Sequence, residues 1–132
     1  MQDNEIVEPD RETILVVDDE PTIRMLVTET LKEHGYITFE AGDAPAALEI
    51  LKALGRISLL LTDITLPGQN GRELAEAAKQ LRPELKVLFM TGYAHNIDIG
   101  IGLTGSGFGG ANIITKPFSL EGLVKKISAI IA

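Results

Sequence analysis

Apolar residues gather in five short runs along the chain, at positions 14–17, 36–39, 58–62, 87–90 and 112–115. The first, third and fourth are nearly continuous, as expected for strands covered on both faces. Helical spacing fills the intervals. Ile23, Leu26, Val27 and Leu31 share one face, and Gly35 is placed to stop that helix. Ala44, Ala47, Leu48 and Leu51 form a second stripe, with Asp43 as N-cap and Gly55 beyond its end. Leu74, Ala77, Ala78 and Leu81 form a third, closed by Pro83. Ser119 caps a last helix with the face Leu120, Leu123, Val124, Ile127, Ile130 and Ile131.

Strands alternating with helices predict βαβ units and a parallel sheet. The chain is too short for the eight units of a barrel, so the expected fold is α/β, an open doubly wound sheet of five strands. Such sheets bind ligands at the carboxyl ends of their strands, where strand order reverses.

One stretch departs from the pattern. Gly100, Gly102, Gly105, Gly107, Gly109 and Gly110 place six glycines in the eleven residues 100–110. Each costs a helix interior about 1 kcal/mol relative to alanine. The fourth crossover helix is therefore expected to be degenerate: short, displaced towards residues 96–101, or absent. Two G-x-G-x-x-G matches occur here, but residues 112–115 read as a strand where a dinucleotide site needs a helix.

Composition narrows the classes. With 12 basic and 19 acidic residues the net charge is −7, which disfavours direct contact with nucleic acid or an anionic membrane surface. Hydrophobic content of 45% is ample for a single core, and the absence of cysteine excludes disulfides and thiolate metal sites. Residues 1–12 are acidic and polar, lack the basic start and apolar stretch of a secretory signal, and read as a disordered tail ahead of a domain at 13–132. No apolar run approaches the ~20 residues of a membrane span. A cytoplasmic protein is expected.

Candidate chemistry sits at the predicted strand ends. Asp18 and Asp19 follow the first strand, Asp63 ends the third, Thr91 the fourth and Lys116 the fifth. Singly, each has an ordinary explanation: carboxylates at a helix start, a turn aspartate, a strand hydroxyl, a solvated lysine. A parallel sheet brings all of them to one edge. Three carboxylates repel one another and a single lysine cannot offset them, so Mg²⁺ is the expected cofactor. The set suits phosphoryl transfer to a carboxylate, with Asp63 as nucleophile and Thr91 and Lys116 contacting phosphoryl oxygens. His34 and His95 have no partner at metal-ligand spacing, and neither is placed to donate phosphate.

The run Ile14-Leu-Val-Val-Asp18-Asp19-Glu20, then Asp63-Ile-Thr-Leu-Pro67-Gly68-Gln-Asn-Gly71, then Thr91-Gly92, then Lys116-Pro117-Phe118 resembles the receiver domain of two-component response regulators. The likeness extends over residues 13–131. It implies the strand order 2-1-3-4-5, a flavodoxin-like arrangement, that Asp63 is the phosphoacceptor, and that Asp18 and Asp19 are the acidic metal pair. Asp19, Asp63 and the Thr65 carbonyl would be direct ligands, with Asp18 acting through water. It also implies a cis bond before Pro117, and a histidine kinase or histidine phosphotransfer protein as donor. The receiving protein downstream is unnamed. Beyond its own phosphorylation and slow dephosphorylation, such a domain is not an enzyme.

Two departures stand out. The family's aromatic switch position holds Ile113; Tyr93 and Phe108 are candidate substitutes, each with the ordinary reading of a core or surface aromatic. The glycine-rich stretch replaces much of the usual fourth helix. The run Leu88-Phe-Met-Thr91-Gly92-Tyr93-Ala94 is similar to receivers attached to hybrid histidine kinases, so an excised C-terminal receiver is one alternative. An inert docking receiver is another, although no site residue is lost. A small Mg²⁺-dependent phosphohydrolase is a third, but it typically carries an acid/base aspartate two residues after the nucleophile, where Thr65 stands. No output domain follows the last helix in this sequence, so the signal is expected to leave by protein contact.

Overall fold

The computed structural model describes residues 11–66, 70–91 and 112–131. The tail to residue 10, Pro67 and Gly68, Tyr93, His95, Phe108 and the glycine-rich crossover lie outside the described residues. In chain order the elements are β1 (Thr13–Val17), α1 (Pro21–Glu33), β2 (Ile37–Ala41), α2 (Ala44–Ala53) and β3 (Leu59–Asp63). They continue with α3 (Gly71–Leu81), β4 (Lys86–Thr91), β5 (Asn112–Thr115) and α4 (Leu120–Ile131). The strands form one sheet in the order β2-β1-β3-β4-β5. Every neighbouring pair is parallel, with Val17 opposite Ala41 and Thr62, and Asp63 opposite Met90.

Local chemistry fixes where the helices begin and end. Asp43, Asn70 and Ser119 each accept a backbone N–H three residues on, from Ala46, Glu73 and Gly122. Gly35 ends α1 at φ +94°, a left-handed conformation that glycine adopts without a Cβ penalty. Around it Gly35 N donates to Lys32 O at 3.0 Å and Tyr36 N to Leu31 O at 3.1 Å. Those two bonds make a Schellman ending.

The pleat divides the core in two. Leu15, Val17, Leu60 and Phe89 face α2 and α3, packing on Ala44, Ala47, Leu51, Leu74, Ala75 and Ala78. Ile14, Val16, Leu59, Leu61, Leu88 and Met90 face α1 and α4, packing on Val27, Leu31, Leu123 and Ile127. Burial on both faces explains why the strand runs read as continuous rather than alternating.

Three details differ from the pattern-based expectation. The second strand runs from Ile37 to Ala41 rather than over residues 36–39. The buried stripe of α1 is Val27, Thr28 and Leu31, which leaves Leu26 47% exposed. In α3 the buried stripe is Gly71, Leu74, Ala75 and Ala78, and Leu81 at the last position is equally exposed. In both helices the face turned to the sheet is offset by part of a turn from the expected stripe. Among the described residues no helix is long and apolar enough to cross a membrane.

Candidate functional site

The carboxyl edge of the sheet collects the charged residues. Asp18 follows β1 and is fully buried, while Asp19 beside it is exposed. Asp63 closes β3 at 8% exposure, Thr91 closes β4 at 2%, and Lys116 directly follows β5. Carboxylate oxygens of Asp18, Asp19 and Asp63 all lie within 4.8 Å of one another. Lys116 Nζ donates to Asp63 Oδ2 at 2.8 Å and to Asp18 Oδ2 at 3.3 Å. Asp18, Asp19, Asp63 and Lys116 meet at one place, and Thr91 adjoins them through its carbonyl, which accepts from Lys116 N.

Backbone bonds hold this cluster beyond the ends of the strands. Asp18 N donates to Ala41 O at 3.2 Å, Ile64 N to Met90 O at 2.9 Å and Lys116 N to Thr91 O at 2.8 Å. The other carboxylate oxygens are also engaged: Asp18 Oδ1 accepts from Glu20 N at 2.9 Å, and Asp63 Oδ1 from Thr65 N at 3.2 Å. Thr65 itself is exposed. The Lys116–Pro117 peptide is cis. Ile113 is half-buried and packs against the cluster that contains Phe89, its register partner on β4.

Three carboxylates and one ammonium give a formal charge of 1 − 3 = −2 in this small space. Burial pushes the Asp63 carboxyl above its ordinary pKa, outweighing the hydrogen bond and charge of Lys116 that alone would lower it. For Lys116 burial acts downward, but the bond and charge of Asp63, and then those of Asp18, prevail and raise its pKa. The remaining negative excess, offered entirely by oxygen, fits a hard divalent cation such as Mg²⁺.

Three further contributors had no role assigned from the sequence, although Asn70 and Gly71 lie within the motif that begins at Asp63. Gly71 opens α3 directly beneath the site, donating from its N to Ile64 O at 2.5 Å. A Cβ there would lie 2.1 Å from Asp63 O, so only glycine fits. Asn70 before it carries a legible signal, a capping residue with Glu73 three positions on. Arg24 donates to Asp18 O at 2.6 Å and left no trace in the pattern, because an arginine on an exposed helix flank is ordinary.

Comparison with known proteins agrees with this geometry. The model of the response regulator receiver domain matches residues 14–128. The response regulator receiver protein CpdR of Brucella abortus is 33% identical over 114 residues, covering 86% of this chain and 92% of that protein. Sporulation initiation phosphotransferase F of Bacillus subtilis is 32% identical over 110 residues, covering 83% and 86%. The sensor kinase CckA of Brucella abortus is 31% identical over 116 residues, but the chain spans only 12% of that kinase. A CheY-like response regulator receiver domain protein from Methanospirillum hungatei superposes with a TM-score of 0.81 at 32% identity, over 91% of this chain and 93% of that one. The chain belongs to the response regulator receiver domain family.

Proposed function

We propose that Asp63 accepts a phosphoryl group from a phosphohistidine on a histidine kinase or histidine phosphotransfer protein, within a receiver unit spanning residues 13–132. The observation that carries this is the placement of Asp63 within 4.8 Å of two other carboxylates and 2.8 Å from Lys116. An Asp63 oxygen attacks phosphorus, the phosphorus–nitrogen bond to the donor imidazole breaks, and an acyl phosphate forms. The imidazole leaves with the bonding electron pair and takes its proton from solvent. The ionised carboxylate needs no general base.

Asp19 and Asp63, with the Thr65 carbonyl, would hold Mg²⁺ directly in this reading. Asp18, wholly buried and held by Glu20 N–H and Lys116, would act through water. Bound Mg²⁺ would neutralise charge on the transferring phosphoryl oxygens. Lys116 and the Thr91 hydroxyl each take one of those oxygens, which draws the ends of β4 and β5 towards Asp63. That movement is the signal, passed to a downstream protein by contact. Ile113 beside Phe89 moves with β5 in place of an aromatic switch. Slow hydrolysis of the acyl phosphate resets the domain, which works in the cytoplasm.

The donor must approach Asp63 from the carboxyl edge. An apolar groove of about 390 Å³ lies there, lined by Ile23, Leu26, Val27, Pro117, Phe118 and Leu120, with Lys116 at its side. Lys116 belongs to both groove and site, so a donor protein seated on the groove would lie beside the acceptor.

Acetyl phosphate with Mg²⁺ is expected to add one phosphoryl mass to the wild type and none to Asp63→Asn. Labelling of Asp63→Asn would overturn the assignment.

A further inference from the structure

Asp18 is held at each of its polar groups. Its N–H donates to Ala41 O, its carboxylate accepts from Glu20 N and Lys116 Nζ, and its carbonyl accepts from Arg24 Nη1 at 2.6 Å. The last bond is short and carries the guanidinium charge, which makes it stronger than a neutral one. It also fixes more than Asp18. That carbonyl shares a planar peptide with Asp19 N, so pinning the oxygen sets how the backbone enters Asp19.

The guanidinium is itself held from β2. Arg24 Nε donates to Glu40 Oε1 at 3.0 Å, with the arginine side chain 22% and the glutamate 46% exposed. A half-exposed ion pair of this kind adds little to stability. Its geometric effect is larger, because a planar fork with one nitrogen on Glu40 has little freedom in where it aims the next. Gly42, just past β2, lies close to this fork: a Cβ there would lie 3.3 Å from Arg24 Nη1.

We infer that Arg24, braced by Glu40, is a positioning residue for Asp18 and Asp19, setting the acidic pair for the divalent cation. This inference rests on the metal reading given under Proposed function. Two physical effects of removing Arg24 have opposite signs. Loss of a nearby positive charge would tighten cation binding, whereas loss of the brace would loosen it. The direction of change therefore separates them.

The experiment is Mg²⁺ titration of the full chain by calorimetry, alongside melting in chelator. Arg24→Ala should weaken Mg²⁺ binding about tenfold, the low end for residues that orient metal ligands. Arg24→Lys keeps charge and stem but loses the fork, and should also bind more weakly than wild type. Glu40→Ala should weaken binding less, and should add nothing in an Arg24→Ala background, because it acts through Arg24. Glu40→Gln keeps an acceptor and should stay near wild type.

Equal or tighter Mg²⁺ binding by a folded Arg24→Ala protein would overturn the inference while leaving the metal reading intact. If Arg24→Ala does not fold, wild-type affinity in Arg24→Lys does the same. Failure of the wild type itself to bind Mg²⁺ would overturn both.

Discussion

Lys116 Nζ lies 2.8 Å from Asp63 Oδ2, although 53 residues separate the two in the chain. The same nitrogen reaches Asp18 Oδ2, so one ammonium serves two carboxylates that would otherwise face each other unneutralised. Lys116 thus stands where part of the compensating positive charge is needed before any cation or phosphoryl group arrives.

Replacing it by methionine should expose that role. Lys116→Met leaves the buried Asp18 and Asp63 without their cation, and loss of a charged partner from buried groups costs about 2 kcal/mol. In chelator the denaturation midpoint should fall accordingly. Mg²⁺ should restore more stability to the variant than to the wild type, since the ion no longer shares the carboxylates with an ammonium. Equal Mg²⁺ stabilisation in the two proteins would argue against competition at one site.

How much of this was legible beforehand depends on the kind of residue. Asp18, Asp63, Thr91 and Lys116 were placed by topology alone, because a parallel sheet brings every strand end to one edge. Capping by Asp43 and Ser119 likewise followed from residue type, whereas the strand order came from the family resemblance, since period does not encode it. Arg24 and Gly71 were not assigned roles. Their contacts, with Asp18 O and Asp63 O, depend on how a helix lies against the sheet, which periodicity does not encode. Helix rotation misled the buried stripes for the same reason, since Leu26 and Leu81 match the period but face outward.

A pH dependence follows from Asp63. Its folded pKa is raised, chiefly by burial, so ionisation is costlier in the folded state than in the unfolded one. The penalty is absent below the unfolded value of about 3.9 and complete above the folded one. In chelator, stability should fall as pH rises through that window. Lys116, also raised, contributes stability that is present below about 10.4 and lost only above its folded value, so it does not vary in the acid range. Asp63→Asn should therefore match the wild type in acid and melt higher at neutral pH. A difference independent of pH would contradict the burial argument.

Arg82 offers a change at the opposite end of the sheet. Its guanidinium donates to Leu51 O at 2.6 Å, to Gly55 O at 3.0 Å and to Leu54 O, closing the carboxyl end of α2. Arg82→Ala should cost about 2 kcal/mol, as charge-assisted bonds to otherwise unpaired helix carbonyls do. Phosphorylation by acetyl phosphate should proceed at the wild-type rate below the melting range. A large rate loss in folded Arg82→Ala would mean that the two ends of the sheet are coupled.

Gly71 tests whether the position of Asp63 is set from beneath. A methyl group at residue 71 would meet Asp63 O at 2.1 Å and Ile64 Cα at 3.0 Å, both in backbone that cannot rotate away. Either α3 lifts or the end of β3 shifts. Overpacking of this sort costs about 1–3 kcal/mol. The Gly71 N to Ile64 O bond ties the helix to the same strand end, so a shift of β3 moves the Asp63 carboxylate relative to Lys116 and Asp19. Gly71→Ala should then lose both stability and phosphorylation rate, unlike Arg82→Ala of matched stability. Comparing the two at equal distance below their melting points isolates the geometric part. An unchanged rate in Gly71→Ala would show that α3 yields and that Asp63 is held by the sheet alone.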